Sequence, residues 1–367
     1  MIAVLQVVDS LKLAGLESVA ANYANLLAGR GVRSCLCSTR ASGPLASRLT
    51  REVTHLDLRR RGIIDPKALK RLVEFIKLEQ IDIIHAHGTS LFFSALATCF
   101  VRSPKFLWHD HFGRYLTEKR SAGLYRLGVS RAAGIIAVNE PLAQWARESL
   151  KMPADRVWFL PNFVPQPPPN SDVPKLPGTP GKRIVCVANL RPEKDHLTLI
   201  EAMAQVHKLD PLAGLILVGD HANEIQAAEV KERVRQHNLQ EHVFFLGSRN
   251  DVGGILRGCD IGVLASASEG MPLALLEYGM AGLPVVATAV GQVPDVLAGG
   301  RVGLMVPAGQ PAELAAGLLK LLESSQLRQT FGRDFNQRVS AQYSADALTD
   351  RLLRIYETVI GAGMVKI

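Results

Sequence analysis

Cysteine is scarce in this chain. The 367 residues hold five (Cys35, Cys37, Cys99, Cys186 and Cys259), none in a Cys-x-x-Cys pair. Neither a disulfide framework nor a zinc site is encoded, and reduced cytoplasmic thiols are expected. No Asp-x-Asp and no helical H-E-x-x-H occurs anywhere, which removes two familiar metal patterns. Long apolar runs are missing too: the longest, about Leu91 to Val101, is too short to cross a bilayer. The start, MIAVLQVVDS, lacks a basic leader region and reads as a first strand. Zinc-finger spacing, RNA-binding aromatics and long basic runs are all absent, so no nucleic-acid partner is expected.

What is present is charge, unevenly placed. The net charge is +8, yet residues 1–165 hold 23 Lys+Arg against 13 Asp+Glu, while the remainder holds 19 against 21. The first part is therefore +10 and the second −2. A phosphate-bearing acceptor or an anionic membrane face fits such asymmetry, as does a merely soluble basic surface.

Apolar β-branched runs alternate with amphipathic helical stretches. Strands are predicted at 2–8, 34–39, 81–87, 105–110, 134–138 and 157–160, with helices near 16–28, 66–78, 90–101 and 141–150. Strands apolar on both faces belong to a parallel sheet covered on both sides. From Pro161 to Lys182 eight of the twenty prolines fall within 22 residues, which predicts a stiff linker. The alternation then restarts with RIVCVANL, GLILVGD, HVFFLG, DIGVLAS, PVVATAV and VGLMVP. The expected fold class is α/β with two facing Rossmann-like domains. The expected parts are an N-terminal domain over 1–165, a linker over 166–182, a C-terminal domain over 183–343, and a last helix within 344–367 packing back toward the first domain. Ligands of such sheets bind at the carboxyl ends of the strands, so the cleft between the halves is the expected site.

Four elements could carry chemistry. In EGMPLALLE, Glu269 and Glu277 flank a strand-turn-helix junction. Gly270 permits a tight turn, Pro272 suits a helix start, and free N–H groups at that start favour an anion. In LRPEKD, Arg191 and Lys194 place two cations within four residues of a strand-end loop, suited to a diphosphate. Gly15, in LAGLE, lets the backbone approach a ligand. His85 and His87 end one predicted strand, His109 and His111 another, each pair on one face; a metal-free polar site with His109 as its leading member is expected. Each element also has a plain reading: a helix-start acid, a solvated turn, an ordinary turn glycine, a structural histidine.

With these residues in view, the sequence resembles the retaining glycosyltransferases of family four (glycosyl transferases group 1), which have the B-type fold. The resemblance runs through AGLE (14–17), IIHAHG (83–88), PNFV (161–164), LRPEKD (190–195), LVGD (217–220), FLGSRNDV (245–252) and, most specifically, SEGMPLALLEYGMAGLPVVAT (268–288) followed by GQVPDVL. It implies that Lys194 and Arg191 bind the donor diphosphate with Gly15, Asn189 and Gly219 nearby. Glu269 with Gly270, Met271, Pro272 and Leu273 would meet the donor sugar, and Glu277 the ribose hydroxyls. Leu246 to Arg249 would lie near the base. His109 matches the family's histidine near the transferred sugar, which makes His109, Glu269, Lys194 and Arg191 the implied catalytic set. The chain departs from the pattern at Ala14, where a glycine is common, and at Asn189, where many members have Arg.

The resemblance implies a metal-independent hexosyltransferase that uses a UDP- or GDP-sugar as substrate and needs no cofactor. Its acceptor would be a glycan or polyprenyl-linked sugar of cell-surface polysaccharide or glycolipid synthesis. It would work in the cytoplasm, with peripheral contact at the inner face of the membrane as a further expectation. A sugar-nucleotide epimerase and a non-catalytic partner of a membrane transferase are the alternatives.

Overall fold

A computed structural model describes residues 1–12, 15–112, 120–163, 172–220 and 224–361. Ala14, Arg114, Lys119, the linker's first part and residues 362–367 lie outside the described residues. The chain divides into two compact units: residues 1–162 with 345–367, and residues 163–344.

The first unit is a seven-stranded parallel sheet of order β3-β2-β1-β4-β5-β6-β7. Its elements are β1 (Ala3–Ser10), α1 (Gly15–Ala28), β2 (Arg33–Ala41), β3 (Thr54–Asp57), α2 (Pro66–Leu78), β4 (Ile83–His87), α3 (Leu91–Ala97), β5 (Lys105–Asp110), α4 (Ala122–Val129), β6 (Gly134–Ala137), α5 (Glu140–Glu148) and β7 (Val157–Phe159). β1 is buried from Ala3 to Val8 because helices cover both faces; Gln6 is the one polar residue of that buried run. α2 begins where Asp65 accepts from the Lys67 and Ala68 amides, both at 3.1 Å, with Pro66 at the first helical position. Its Ala68, Leu72 and Ile76 are buried, so the apolar stripe is core.

The second unit is a six-stranded parallel sheet of order β10-β9-β8-β11-β12-β13. It comprises β8 (Arg183–Val187), α6 (His196–Leu209), β9 (Gly214–Val218), α7 (Glu224–Gln236), β10 (Val243–Gly247), α8 (Val252–Arg257), β11 (Ile261–Leu264), α9 (Leu273–Met280), β12 (Val285–Thr288), α10 (Val293–Val296), β13 (Leu304–Val306), α11 (Pro311–Glu323) and α12 (Ser325–Gln342). The last helix, α13 (Ala345–Ile360), belongs to the first unit. There Arg30 pairs with its Asp346 and Asp350, each at 2.7 Å, and Arg351 donates to the Phe159 carbonyl at 2.8 Å.

The described part of the proline-rich stretch is not a free spacer. Arg183 donates to the carbonyls of Leu176, Pro177 and Gly178 at 3.0–3.1 Å, and Leu176 is buried in the second unit's core. A guanidinium with five donors satisfies proline-rich backbone that has few amides of its own.

In both sheets the order reverses beside the first strand, between β1 and β4 and between β8 and β11. The loops leaving those neighbours diverge, and a crevice opens at their carboxyl ends.

Candidate functional site: the switch points of the two sheets

In the second unit, β8 and β11 deliver Lys194 and Glu269 to one place. Lys194 Nζ lies 2.6 Å from Glu269 Oε1, and the same oxygen accepts from Ser266 Oγ at 2.7 Å. Glu269 and Ser266 are buried. Their loops are joined by backbone as well, since the Glu193 carbonyl accepts from the amides of Ala267 (2.9 Å) and Ser268 (3.4 Å). Asp195, in the left-handed conformation at φ 46°, caps α6 through Thr198. The chain therefore turns sharply just after Lys194 and fixes its direction. Gly291 supports the other side: a Cβ there would meet the Glu269 carbonyl at 2.0 Å.

Pro272 caps α9, and the amides of Leu273 and Ala274 open the helix without intrahelical acceptors. Tyr278 holds α9 in place, accepting from the Val187 amide at 2.7 Å and donating to the Val263 carbonyl at 3.2 Å. One residue before it stands Glu277, half-buried, whose carboxyl is pushed up to about 7 by desolvation. A carboxylate so placed gains by meeting hydroxyl donors.

A Cβ on Gly270 would meet nothing within 4 Å. Packing does not demand glycine there, so the space beside Glu269 is open to a ligand. Gly15, at the start of α1, is likewise unobstructed. Gly219 is different: a Cβ would strike the Ala188 carbonyl at 2.1 Å, so its glycine serves close passage of two loops. Asn189 reinforces that passage by accepting from the Asp220 amide at 2.8 Å. Arg191 is exposed with Glu193 3.9 Å away. Arg249 is bidentate on Asp251 at 2.6 and 2.7 Å, and Leu246 and Met271 pack on the core.

At the first unit's switch point the four histidines gather. His85 stacks on His87 (centroids 4.4 Å apart) and on His109 (5.2 Å), and His109 lies 4.0 Å from His111. His85, His87 and His109 are buried. Neither ring nitrogen of His109 makes a well-formed hydrogen bond, although the Leu160 backbone is near enough to favour its charged form. Burial drives all four toward the neutral form, His85 and His111 down to about 3.

Ligand atoms of His85, His87 and His109 lie within 4.8 Å of one another. As arranged, rings stacked 14–35° apart do not aim their in-plane lone pairs at a common point. Asp110 does not join them. It faces the other way and pairs with Arg120 at 2.6 and 3.0 Å, whose guanidinium lies 3.9 Å over Trp145 and 4.4 Å over Phe112.

Ser266, Glu193, Asp195, Tyr278 and Gln6 are site-building residues that the motifs did not single out. Gln6 alone carried a signal, as a polar residue inside an apolar strand.

The model of the glycosyl transferases group 1 family matches residues 171–356, and that of glycosyltransferase family 4 matches residues 13–166. The chain belongs to the glycosyl transferases group 1 family. It is a sugar-transferring enzyme of the two-domain B-type fold, which sets aside the epimerase and the non-catalytic partner.

Among similar proteins, a phosphatidyl-myo-inositol mannosyltransferase of Mycobacterium leprae is 29 % identical over 70 % of this chain and 67 % of its own length. The N-acetyl-alpha-D-glucosaminyl L-malate synthase of Bacillus anthracis is 26 % identical over 65 % of this chain and 62 % of its own. Among solved structures, a glycosyltransferase from Rickettsia africae matches with a TM-score of 0.82 at 21 % identity, covering 98 % of both chains. HepE of Anabaena in complex with UDP-glucose matches with 0.76 at 20 % identity, covering 98 % of this chain and 100 % of its own.

Proposed function

We propose that this glycosyltransferase takes a nucleotide sugar into the second unit's switch point and passes the sugar to a glycan or lipid-linked acceptor with retention at the anomeric carbon. The observation that carries the reading is the Lys194–Glu269–Ser266 cluster beside an open Gly270. Lys194 and the amides opening α9 are oriented before any ligand arrives, as stabilisation of a departing diphosphate requires. One such donor is typically worth about 2.7–4 kcal/mol. Departure of the nucleoside diphosphate, attack from the same face and capture of the acceptor proton by a phosphate oxygen make the most economical route. This route needs no carboxylate nucleophile, and no step in it calls on a metal. That HepE is known with UDP and UDP-glucose supports a uridine donor; a GDP-sugar is the other choice.

A lipid acceptor is favoured by the outer surface of the first unit. Ile63 and Ile64 are 80 % and 72 % exposed, directly after the exposed Arg59 and Arg61 and before Lys67 and Lys70. Apolar tips framed by cations suit an anionic bilayer. Among the described residues no helix is long and apolar enough to cross a membrane, so the contact would be peripheral. The Mycobacterium leprae relative, a phosphatidyl-myo-inositol mannosyltransferase, agrees with such an acceptor.

A panel of UDP- and GDP-sugars, screened by thermal stabilisation and by donor consumption before and after exhaustive chelation, tests the reading. One donor should raise the melting temperature and be consumed equally in both conditions. Stabilisation by none, or activity that returns only with added Mg²⁺ or Mn²⁺, would overturn it.

A further inference from the structure

The histidine cluster is threaded by one continuous hydrogen-bond chain. Gln6 Nε2 donates to Tyr356 Oη at 3.0 Å, and Tyr356 Oη is 2.7 Å from His85 Nδ1. The other end of the Gln6 amide, Oε1, is 2.7 Å from His87 Nε2. His87 Nδ1 is in turn 3.0 Å from His111 Nε2. Each partner dictates the next. With Gln6 Oε1 as acceptor, His87 must carry its proton on Nε2, which leaves a lone pair on Nδ1. That lone pair accepts from His111, whose proton is therefore on Nε2. A neutral His111 is left with an unshared lone pair on Nδ1.

The chain also has an inside and an outside. Tyr356, Gln6, His85 and His87 are 0–1 % exposed, as is His109, whereas His111 is only half-buried. It stands at the carboxyl end of β5, where ligands of such sheets bind. Asp110, clamped by Arg120, accepts from the Phe112 amide at 3.1 Å, which fixes the backbone on either side of His111.

Resting on the glycosyltransferase reading, we propose that His111, rather than the wholly buried His109, is the imidazole that meets a substrate hydroxyl in the first unit. It accepts through Nδ1, and Tyr356 of α13 is a positioning residue that sets this tautomer through Gln6 and His87. By accepting this hydrogen bond, His111 orients the hydroxyl.

Two measurements need no substrate. Nitrogen-15 NMR of histidine-labelled protein should find His111 protonated on Nε2, and Tyr356→Phe or Gln6→Leu should mix its tautomers while the fold's circular dichroism stays the same. Diethylpyrocarbonate, whose carbonyl is attacked by a free imidazole nitrogen with loss of ethanol and carbon dioxide, should carbethoxylate His111 well before His85, His87 or His109. A proton on Nδ1, an unchanged tautomer in both variants, or prior reaction at His109 would overturn the proposal.

With the acceptor found by a transfer screen, His111→Phe should raise the acceptor KM about fivefold to tenfold with donor KM unchanged. His111→Asn, which keeps an oxygen near the Nδ1 position, should recover most of it. Equal losses in both variants would count against the hydroxyl contact. If no transfer is found, the functional reading fails, and the NMR and carbethoxylation results still decide the tautomer.

Discussion

Lys194 Nζ and Glu269 Oε1 are 2.6 Å apart and belong to loops that follow different strands, β8 and β11. Their side chains are 24 % and 7 % exposed, so each largely replaces water for the other. In the proposed function, the pair holds a cation beside an open space and keeps it neutralised until an anion arrives.

Removing one member therefore has two effects. Lys194→Ala leaves a buried carboxylate unpaired, which typically costs about 3–5 kcal/mol, and should lower the melting temperature along with at least about tenfold in turnover. The double variant Lys194→Met with Glu269→Leu should regain much of the stability and none of the turnover. Stable and active single variants, compared by calorimetry and donor consumption, would remove both residues from the site.

With Glu277 meeting donor hydroxyls as proposed, donor binding depends on pH. Its carboxyl, raised from the ordinary 4.5 to about 7, is half protonated near neutrality, whereas hydroxyl donors prefer it ionised. Donor affinity should rise from pH 6 to 8 and level off above. Binding near pH 6.5 should release protons, read as a buffer-dependent enthalpy in titration calorimetry. Glu277→Gln should abolish the proton release and weaken binding about tenfold. A pH-independent affinity in the parent protein would contradict the placement. For stability alone the sign is opposite. The folded state binds more protons between pH 4.5 and 7, so this group's contribution falls as pH rises through that window.

The histidine cluster sets an acid limit. All four rings have folded values below the ordinary 6.5, so the unfolded chain binds more protons below that pH and stability is lost as pH falls. Each ring costs about 1.4 kcal/mol per pH unit below 6.5. The melting temperature should drop steeply between pH 6.5 and 5. A flat profile over that range would mean that the rings protonate freely.

Of the three consecutive arginines, only two belong to the surface. Arg60 is 4 % exposed and pairs with Asp9 at 2.9 Å, with Phe93 beneath its guanidinium at 4.9 Å. Arg60→Ser should destabilise the first unit by about 3–5 kcal/mol. Arg61→Ser with Ile63→Ser and Ile64→Ser should leave the melting temperature nearly unchanged and reduce sedimentation with anionic vesicles at low salt. Absence of vesicle binding in the parent protein would favour a soluble acceptor.

Much of the fold was readable because strands covered on both faces are apolar throughout, and β5 and α2 fall on their predicted residues. β3 escaped because Thr54–Asp57 is short, edge-placed and only partly buried, and α4 because Gly123 and Gly128 weaken its helical pattern. Spacing put Lys194 and Glu269 on strand-end loops, but their direct pairing depends on which loops become neighbours, a property of strand order. Arg60 illustrates the same limit: beside Arg59 and Arg61 it reads as surface charge, and only the Asp9–Thr39–Thr89 network around it explains its burial. The reach of Tyr356 to His85, across 271 positions, has no local signature at all.

Retaining transfer from a nucleotide sugar bound in the second unit is tested most directly by following the anomeric proton signals of donor and product during turnover. Donor should be consumed at a rate that rises with acceptor, and the first product formed should have the donor's anomeric configuration. A first-formed product of opposite configuration would contradict it.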